Sequence, residues 1–150
     1  MPQSLHVKYS HLVFSTKNRD PLITGDIKSR LYEYMGGIAR DLVAACIEIN
    51  GIHDHVHLII RDSKSCDDIK FIKELKGSSS RWANSELNLP GRFSWQAGYG
   101  WFSVGPTDLD KASAYVKRQK EHHKKITFQD EYRKFLEQYK VEYDERYVWD

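Results

Sequence analysis

The stretch Gly51-Ile-His-Asp-His-Val-His-Leu-Ile-Ile-Arg-Asp62 decides how this chain folds. From His55 to Ile60 it alternates, with Val56, Leu58 and Ile60 on one side and His55, His57 and Ile59 on the other. That is the period of a β-strand burying one face, because successive side chains point to opposite sides. Two histidines at i and i+2 project together, with Cα atoms roughly 6.5–7 Å apart at a rise of about 3.3 Å per residue. Neutral imidazole is a common ligand for Zn, Mn and similar metals, so the pair is suited to one divalent ion. On its own a His-x-His pair is more often a structural or exposed feature, and a catalytic site needs a third protein group. His53 shares the parity, although Gly51-Ile-His-Asp54 reads as a turn that interrupts the strand before His55.

Outward from this strand, the chain reads as alternating elements. Leu5 to Thr16 predicts a first strand, ending in the polar turn Lys17-Asn-Arg-Asp-Pro21. Ile27, Leu31, Met35, Ile38 and Leu42 recur at helical spacing after a candidate cap at Thr24. Ala45 to Gly51 predicts the second strand. Ser65-Cys-Asp-Asp68 resembles a capping box, followed by a helix with Ile69, Ile72, Leu75, Ser79 and Trp82 on one side. A fourth strand is expected near Gly100 to Val104. A helix from Thr107 to about Lys125 and another from Thr127 close the chain, and the acidic, aromatic tail from Val141 to Asp150 carries no clear pattern.

The order strand, helix, strand, strand, helix, strand, then helices predicts an α+β fold, the ferredoxin-like split βαβ arrangement. It implies an antiparallel four-stranded sheet with two helices on one face and an additional C-terminal helix. Val56, Leu58 and Ile60 should meet the helices, leaving the histidines on the opposite, open face. One domain over residues 1–150 is expected, from the length and the lack of repeats or linkers.

Composition narrows the function classes. Charged residues make up 29% and the hydrophobic class 40%, an ordinary globular balance. No apolar run approaches the roughly 20 residues of a membrane span, and no signal-peptide pattern is seen. Cys46 and Cys66 are too few for a disulfide framework, so a reducing cytoplasm is expected. Net charge is only +2, so polyanion binding must come from local clusters.

One such cluster lies on the helix after Thr107. Residues 111 to 125 hold six basic residues against Glu121 alone, about +5. Tyr115 and Gln119 lie one turn apart on one face, followed by His122 and His123. A solvated basic helix with an edge tyrosine is the plain reading. The functional one makes Tyr115 a nucleophile, helped by lysines and by a metal on the scissile phosphate, with Gln119 as the missing ligand oxygen.

At this point the chain resembles the HUH endonucleases, in their single-tyrosine branch of insertion sequence 200/605 transposases and repeat-associated relatives. His55-Val56-His57 matches the His-hydrophobic-His signature, and Tyr115-Val-Lys-Arg-Gln119 the tyrosine followed four residues on by glutamine. The resemblance extends to Tyr9–Arg19, Asp54–Leu58, Lys76–Trp82 and Trp95–Gly100. His53 departs from the pattern, which leaves it as a spectator or a competing ligand. The resemblance implies that Tyr115 attacks a phosphodiester in single-stranded DNA with hairpin ends, leaving a 5′-phosphotyrosine link. His55, His57 and Gln119 would hold Mg²⁺ or Mn²⁺. It also implies a homodimer, with the tyrosine helix able to act in trans, working on DNA in a bacterial or archaeal cytoplasm.

Phosphate contacts favour cations and hydroxyls, and unpaired bases favour aromatic platforms. The candidates are Lys17, Arg19, Lys73, Lys76, Ser79, Arg81, Lys117 and Arg118, joined by Lys70, Ser78 and Ser80. Trp82, Trp95, Tyr99 and Trp101 are stacking candidates, read more readily as core or interface residues. Two other functions compete: a noncatalytic single-strand-binding sheet, which would present aromatics on its open face, and a metal-dependent hydrolase using His53, His55 and His57 as a triad.

Overall fold

The computed structural model describes residues 2–43 and 45–150. Strands β1 (Tyr9–Ser15), β2 (Ala45–Ile52), β3 (His55–Arg61) and β4 (Gly100–Val104) form one antiparallel sheet in the order β2-β3-β1-β4. This is the expected split βαβ topology, with the central strands β1 and β3 paired along their whole length. Helix α1 (Gly25–Leu42) connects β1 to β2, and α2 (Asp68–Glu86) connects β3 to β4. Among the described residues, no helix is long and apolar enough to cross a membrane.

The period-2 pattern of β3 separates two cores. Val56, Leu58 and Ile60 join Leu12 and Phe14 of β1 against α1 and α2, packing on Leu31, Met35, Phe71 and Leu75. The register then sets the other face, because Val13 opposes His57 and Ser15 opposes His55. That face was expected to be open, but it is covered. Three further helices lie after β4, namely α3 (Leu109–Lys117), α4 (Gln119–His122) and α5 (Phe128–Gln138). Phe128, Tyr132 and Leu136 of α5 close on Val13 and Phe102 as a second core, and both His55 and His57 are fully buried. Helix α5 has an apolar stripe at i, i+4 and i+8, which must be buried somewhere, and the free sheet face is the surface left for it.

Local details differ from the sequence reading in ways that physical chemistry explains. The cap of α2 is Asp67, whose carboxylate accepts from the Lys70 amide, rather than Ser65. Its buried stripe uses Phe71 in place of Ile69, which is 72% exposed. The helix expected from Thr107 without a break instead starts with a short 3₁₀ turn at Pro106–Asp108, and Thr107 makes no side-chain cap. It then breaks at Arg118, where φ and ψ are −95° and 20°. Asn50 of β2 donates its side-chain amide to the carbonyls of Val116 and Lys117 at 3.1 Å each, satisfying acceptors that a continuous helix would have paired with amides further on. Thr127 does cap α5, accepting from the Asp130 amide.

The C-terminal tail forms turns that bind α5 to the body. Trp149 packs against Phe128 and Tyr132, and the Asp150 carbonyl accepts from the Gly98 amide at 2.7 Å. Helix α5 packs tightly over Gly100 of the sheet, where an added Cβ would lie 2.7 Å from the Tyr132 ring. Gly100→Val should therefore push α5 off the sheet. We expect it to lower the free energy of unfolding by about 1–3 kcal/mol, the usual cost of overpacking, measured by urea denaturation. An unchanged midpoint and slope would show that α5 does not bear on the sheet there.

Candidate active site

The site grows from β3 and its neighbours on the second face of the sheet. His55 and His57 point into the space between the sheet and α3–α5, where Gln119 is also fully buried. The amide oxygen of Gln119 lies 3.2 Å from His55 Nε2 and 2.9 Å from His123 Nε2. Tyr115, one turn before Gln119, brings its hydroxyl to 3.1 Å from His122 Nε2. Its ring stands 5.9 Å from that of His57. The tyrosine and the imidazole pair therefore meet within a single chain. Helix α3 is held in place from β2, since Asn50 fixes its C-terminus and Glu48 accepts from the Ser113 hydroxyl at 3.2 Å.

At the centre is a residue the sequence reading missed. Glu131 of α5 is 2% exposed. Its Oε1 lies 2.9 Å from His57 Nε2 and 3.4 Å from His55 Nε2. Its Oε2 lies 3.2 Å from the Nε2 atoms of both His122 and His123, and it accepts a hydrogen bond from the Tyr115 hydroxyl. The available signal was a carboxylate inside the apolar stripe of Phe128, Tyr132 and Phe135, since an acid on a buried helix face requires partners.

In His55, His57 and His123 the ring nitrogen facing away from this cluster is engaged. His55 Nδ1 is 2.8 Å from the Asp54 carboxylate, His57 Nδ1 is 2.7 Å from His11 Nε2, and His123 Nδ1 is 2.8 Å from the Ile126 carbonyl. With a cation bound, a proton on Nδ1 would turn the Nε2 lone pair inward, the arrangement by which outer partners orient metal-binding imidazoles. One ligand atom each from His55, His57, His123 and Glu131 lie within 4.8 Å of one another. Donors at about 2.1 Å from one ion would be separated by about 3.0 Å when adjacent and by about 4.2 Å when opposite. The residues present therefore fit a divalent cation.

Electrostatics follow from burial and charge. Burial alone would push the Glu131 carboxyl up, but His57 and hydrogen bonds from His123 and His55 hold it far below the usual carboxylate range. Burial and the Glu131 charge push the Tyr115 phenol well above 10, so without a cation it stays protonated. Burial lowers His57, against the pull of Glu131, whereas for His55 the bonds with Asp54 and Glu131 overcome burial and raise it. Burial and the neighbouring His57 lower His11 to about 3, leaving it neutral and able to accept from His57.

The other sequence-derived candidates scatter. His53 sits in the hairpin turn with its side chain 51% exposed and 4.0 Å from Asp54, outside the group formed by His55 and His57, so the triad of His53, His55 and His57 does not assemble. Ser79 is fully buried, donating to the Leu75 carbonyl at 2.6 Å and accepting from Trp95 Nε1 at 2.9 Å, so its hydroxyl is not free for phosphate. Lys76 donates to the Gly98 carbonyl at 2.8 Å, and burial lowers it to about 8. Lys73 and Arg81 are exposed on α2, across the sheet from Tyr115, and Lys17 is exposed in the turn after β1. Lys117 is exposed, 3.6 Å from Glu48. Arg118 lines a cleft of about 1400 Å³ beside Tyr115, together with Lys111, Lys124, Lys125 and Lys134. Trp95 is buried, and Trp82 stacks on Tyr34 at 4.6 Å, so only Tyr99 among the stacking candidates is exposed. The histidine face presents no aromatic platform, because its aromatics belong to the α5 core.

The pH dependence of stability carries the mark of this burial. The ordinary value of His11 is 6.5 and its folded value is about 3. Acidification below pH 6.5 therefore protonates the unfolded chain first and destabilises the fold, by up to about 1.4 kcal/mol per pH unit from this group. His11→Gln should flatten the fall in stability between pH 6.5 and 4, read from urea midpoints across that range. A slope equal to the wild type's would mean that His11 does not stay neutral on folding.

Comparisons with known proteins point to one family. Residues 4–119 match the family described as "Transposase IS200 like". The ISDra2 transposase TnpA of Deinococcus radiodurans is 25% identical over 114 residues, spanning 73% of this chain and 81% of that one. A crystal structure described as a transposase from Deinococcus radiodurans R1 superposes with a TM-score of 0.63 at 22% identity, covering 79% of this chain and 95% of that one. The REP-associated tyrosine transposase bound to a REP hairpin superposes with a TM-score of 0.59 at 14% identity, covering 82% and 74%. At these identities the two structures speak for the fold, and the family match spans most of the chain up to Gln119. The chain belongs to the IS200-like transposase family.

Proposed function

We propose that this transposase cuts and rejoins single-stranded DNA at hairpin-bearing ends through a covalent link to Tyr115, with the 150 residues acting as one domain. The Tyr115 oxygen bonds to phosphorus as the bond from phosphorus to the 3′ oxygen breaks. The phenol gives up its proton and the departing oxygen gains one, leaving a 5′-phosphotyrosine and a free 3′-hydroxyl. Attack by another 3′-hydroxyl reverses the step, so no external energy source is needed.

The observation that carries this reading is the convergence, in one chain, of the Tyr115 ring beside His57 and the Gln119 amide on His55. His55, His57 and Gln119 would hold Mg²⁺ or Mn²⁺, which when bound would polarise the scissile phosphate and offset its charge. The chain's own groups do the positioning. His122 sits beside the Tyr115 hydroxyl, Asp54 and His11 orient the two imidazoles, and Asn50 anchors the end of α3. Because the Tyr115 ring lies beside His57 of its own chain, the site is proposed to work in cis. A homodimer would then bring two whole sites to a pair of DNA ends.

The cleft beside Tyr115, where Arg118 and five other cations outnumber Asp110, Glu121, Asp130 and Glu137, suits the single strand entering the site. The exposed cations of α2, Lys73 and Arg81 with Lys70, and Lys17 and Arg19 at the β1 turn, are proposed to hold the rest of the hairpin by its phosphates. The hairpin-bound relative of the same fold supports this class of partner. The site calls for action on DNA inside a cell.

A labelled single-stranded oligonucleotide carrying a hairpin should become attached to the protein in Mn²⁺ or Mg²⁺, surviving denaturing gels. Tyr115→Phe should abolish the attachment while DNA binding persists, and chelation should stop it in the wild type. Attachment by Tyr115→Phe would remove the mechanism. Replacing Lys70, Lys73 and Arg81 together by alanine should weaken hairpin binding and reduce the slope of log affinity against log salt by about 0.7–0.9 per lost phosphate contact. An unchanged slope in a salt titration would take α2 out of the DNA interface.

A further inference from the structure

The family match ends at residue 119, yet much of the cation-binding set comes from beyond it. We propose that Glu131 and His123 are ligands of the same divalent cation as His55 and His57, so that the C-terminal helices complete the site. The inference rests on the transposase reading for the purpose of the cation, but its chemistry is local.

Three observations point the same way. Glu131 places its two oxygens differently, Oε1 towards His57 and His55 and Oε2 towards His123 and the Tyr115 hydroxyl. It therefore connects the imidazoles to the nucleophile. His123 has its Nδ1 engaged by the Ile126 carbonyl, as a ligating imidazole requires, and its side chain is 2% exposed. The ligand atoms of all four residues lie within 4.8 Å of one another. A lone carboxylate buried among imidazoles is the charge a divalent cation lacks in a site of neutral nitrogens and an amide. Three imidazoles with one carboxylate also favour a transition metal such as Mn²⁺ over Mg²⁺, which prefers oxygen and retains its waters. Coordinated through Oε1, Glu131 would still hold the Tyr115 hydroxyl through Oε2, fixing the nucleophile relative to the cation.

The test is Mn²⁺ binding to the whole chain without DNA, by titration calorimetry and by the loss of the free Mn²⁺ electron paramagnetic resonance signal. Glu131→Gln and His123→Ala should each weaken Mn²⁺ binding tenfold or more while circular dichroism shows a retained fold, and the wild type should bind Mn²⁺ at least tenfold more tightly than Mg²⁺. Equal Mn²⁺ affinity for wild type and Glu131→Gln would overturn the proposal. Should the variants fail to fold, wild-type crystals soaked in Mn²⁺ decide the matter. An anomalous peak within about 2.3 Å of a Glu131 oxygen and His123 Nε2 supports it, and a peak at His55 and His57 alone, or none, overturns it. Failure of the transposase reading is separately visible, as absence of a wild-type DNA adduct whatever Mn²⁺ does.

Discussion

A carboxylate buried among imidazoles dictates how the second face of this protein is built. Moving the Glu131 carboxylate out of water costs several kcal/mol unless it is surrounded by donors, and the structure surrounds it with His55, His57, His122, His123 and the Tyr115 hydroxyl. Those groups arrive from β3, α3 and the segment around α4, so satisfying one charge brings three parts of the chain together. The apolar stripe of α5 provides the driving force, with Phe128, Tyr132 and Leu136 closing on Val13 and Phe102. The burial holds the helix, and the charge sets which residues meet beneath it.

The sheet makes this possible through its register. With Val13 opposite His57 and Ser15 opposite His55, the first strand contributes small or apolar neighbours around the histidines, and His11 falls beside His57. A shift of one residue would turn every one of these side chains to the α1–α2 core. The second strand does a different job. Asn50 donates to the last carbonyls of α3 where the helix ends, next to the buried Gln119.

Much of this was legible in the residues. The alternation through Val56, Leu58 and Ile60 gave the core face of β3, and the order of elements gave the sheet topology, because both depend on local periodicity. The Tyr115–Gln119 spacing placed the two on one helix face, and the histidines at i and i+2 shared a side of the strand. Long-range pairing was not legible. The break at Arg118 has no proline or glycine to announce it, since its cause is an asparagine 66 residues away in sequence from Val116. Covering of the histidine face depends on where α5 docks, and no spacing encodes that. Ser79 shows the opposite error. It stood in the apolar stripe of α2 and also among the phosphate donors, and its buried bonds to Leu75 and Trp95 follow from the stripe.

The central claim is that the Tyr115 phenol is the atom that takes the DNA. The most direct measurement is mass spectrometry of proteolysed adduct formed with a hairpin-bearing single strand in Mn²⁺. The account predicts one modified peptide, carrying a 5′-phosphorylated nucleotide on Tyr115, together with a released fragment ending in a 3′-hydroxyl. A nucleotide found on any other residue, or cleavage that leaves the protein unmodified at every stage of the reaction, would contradict it.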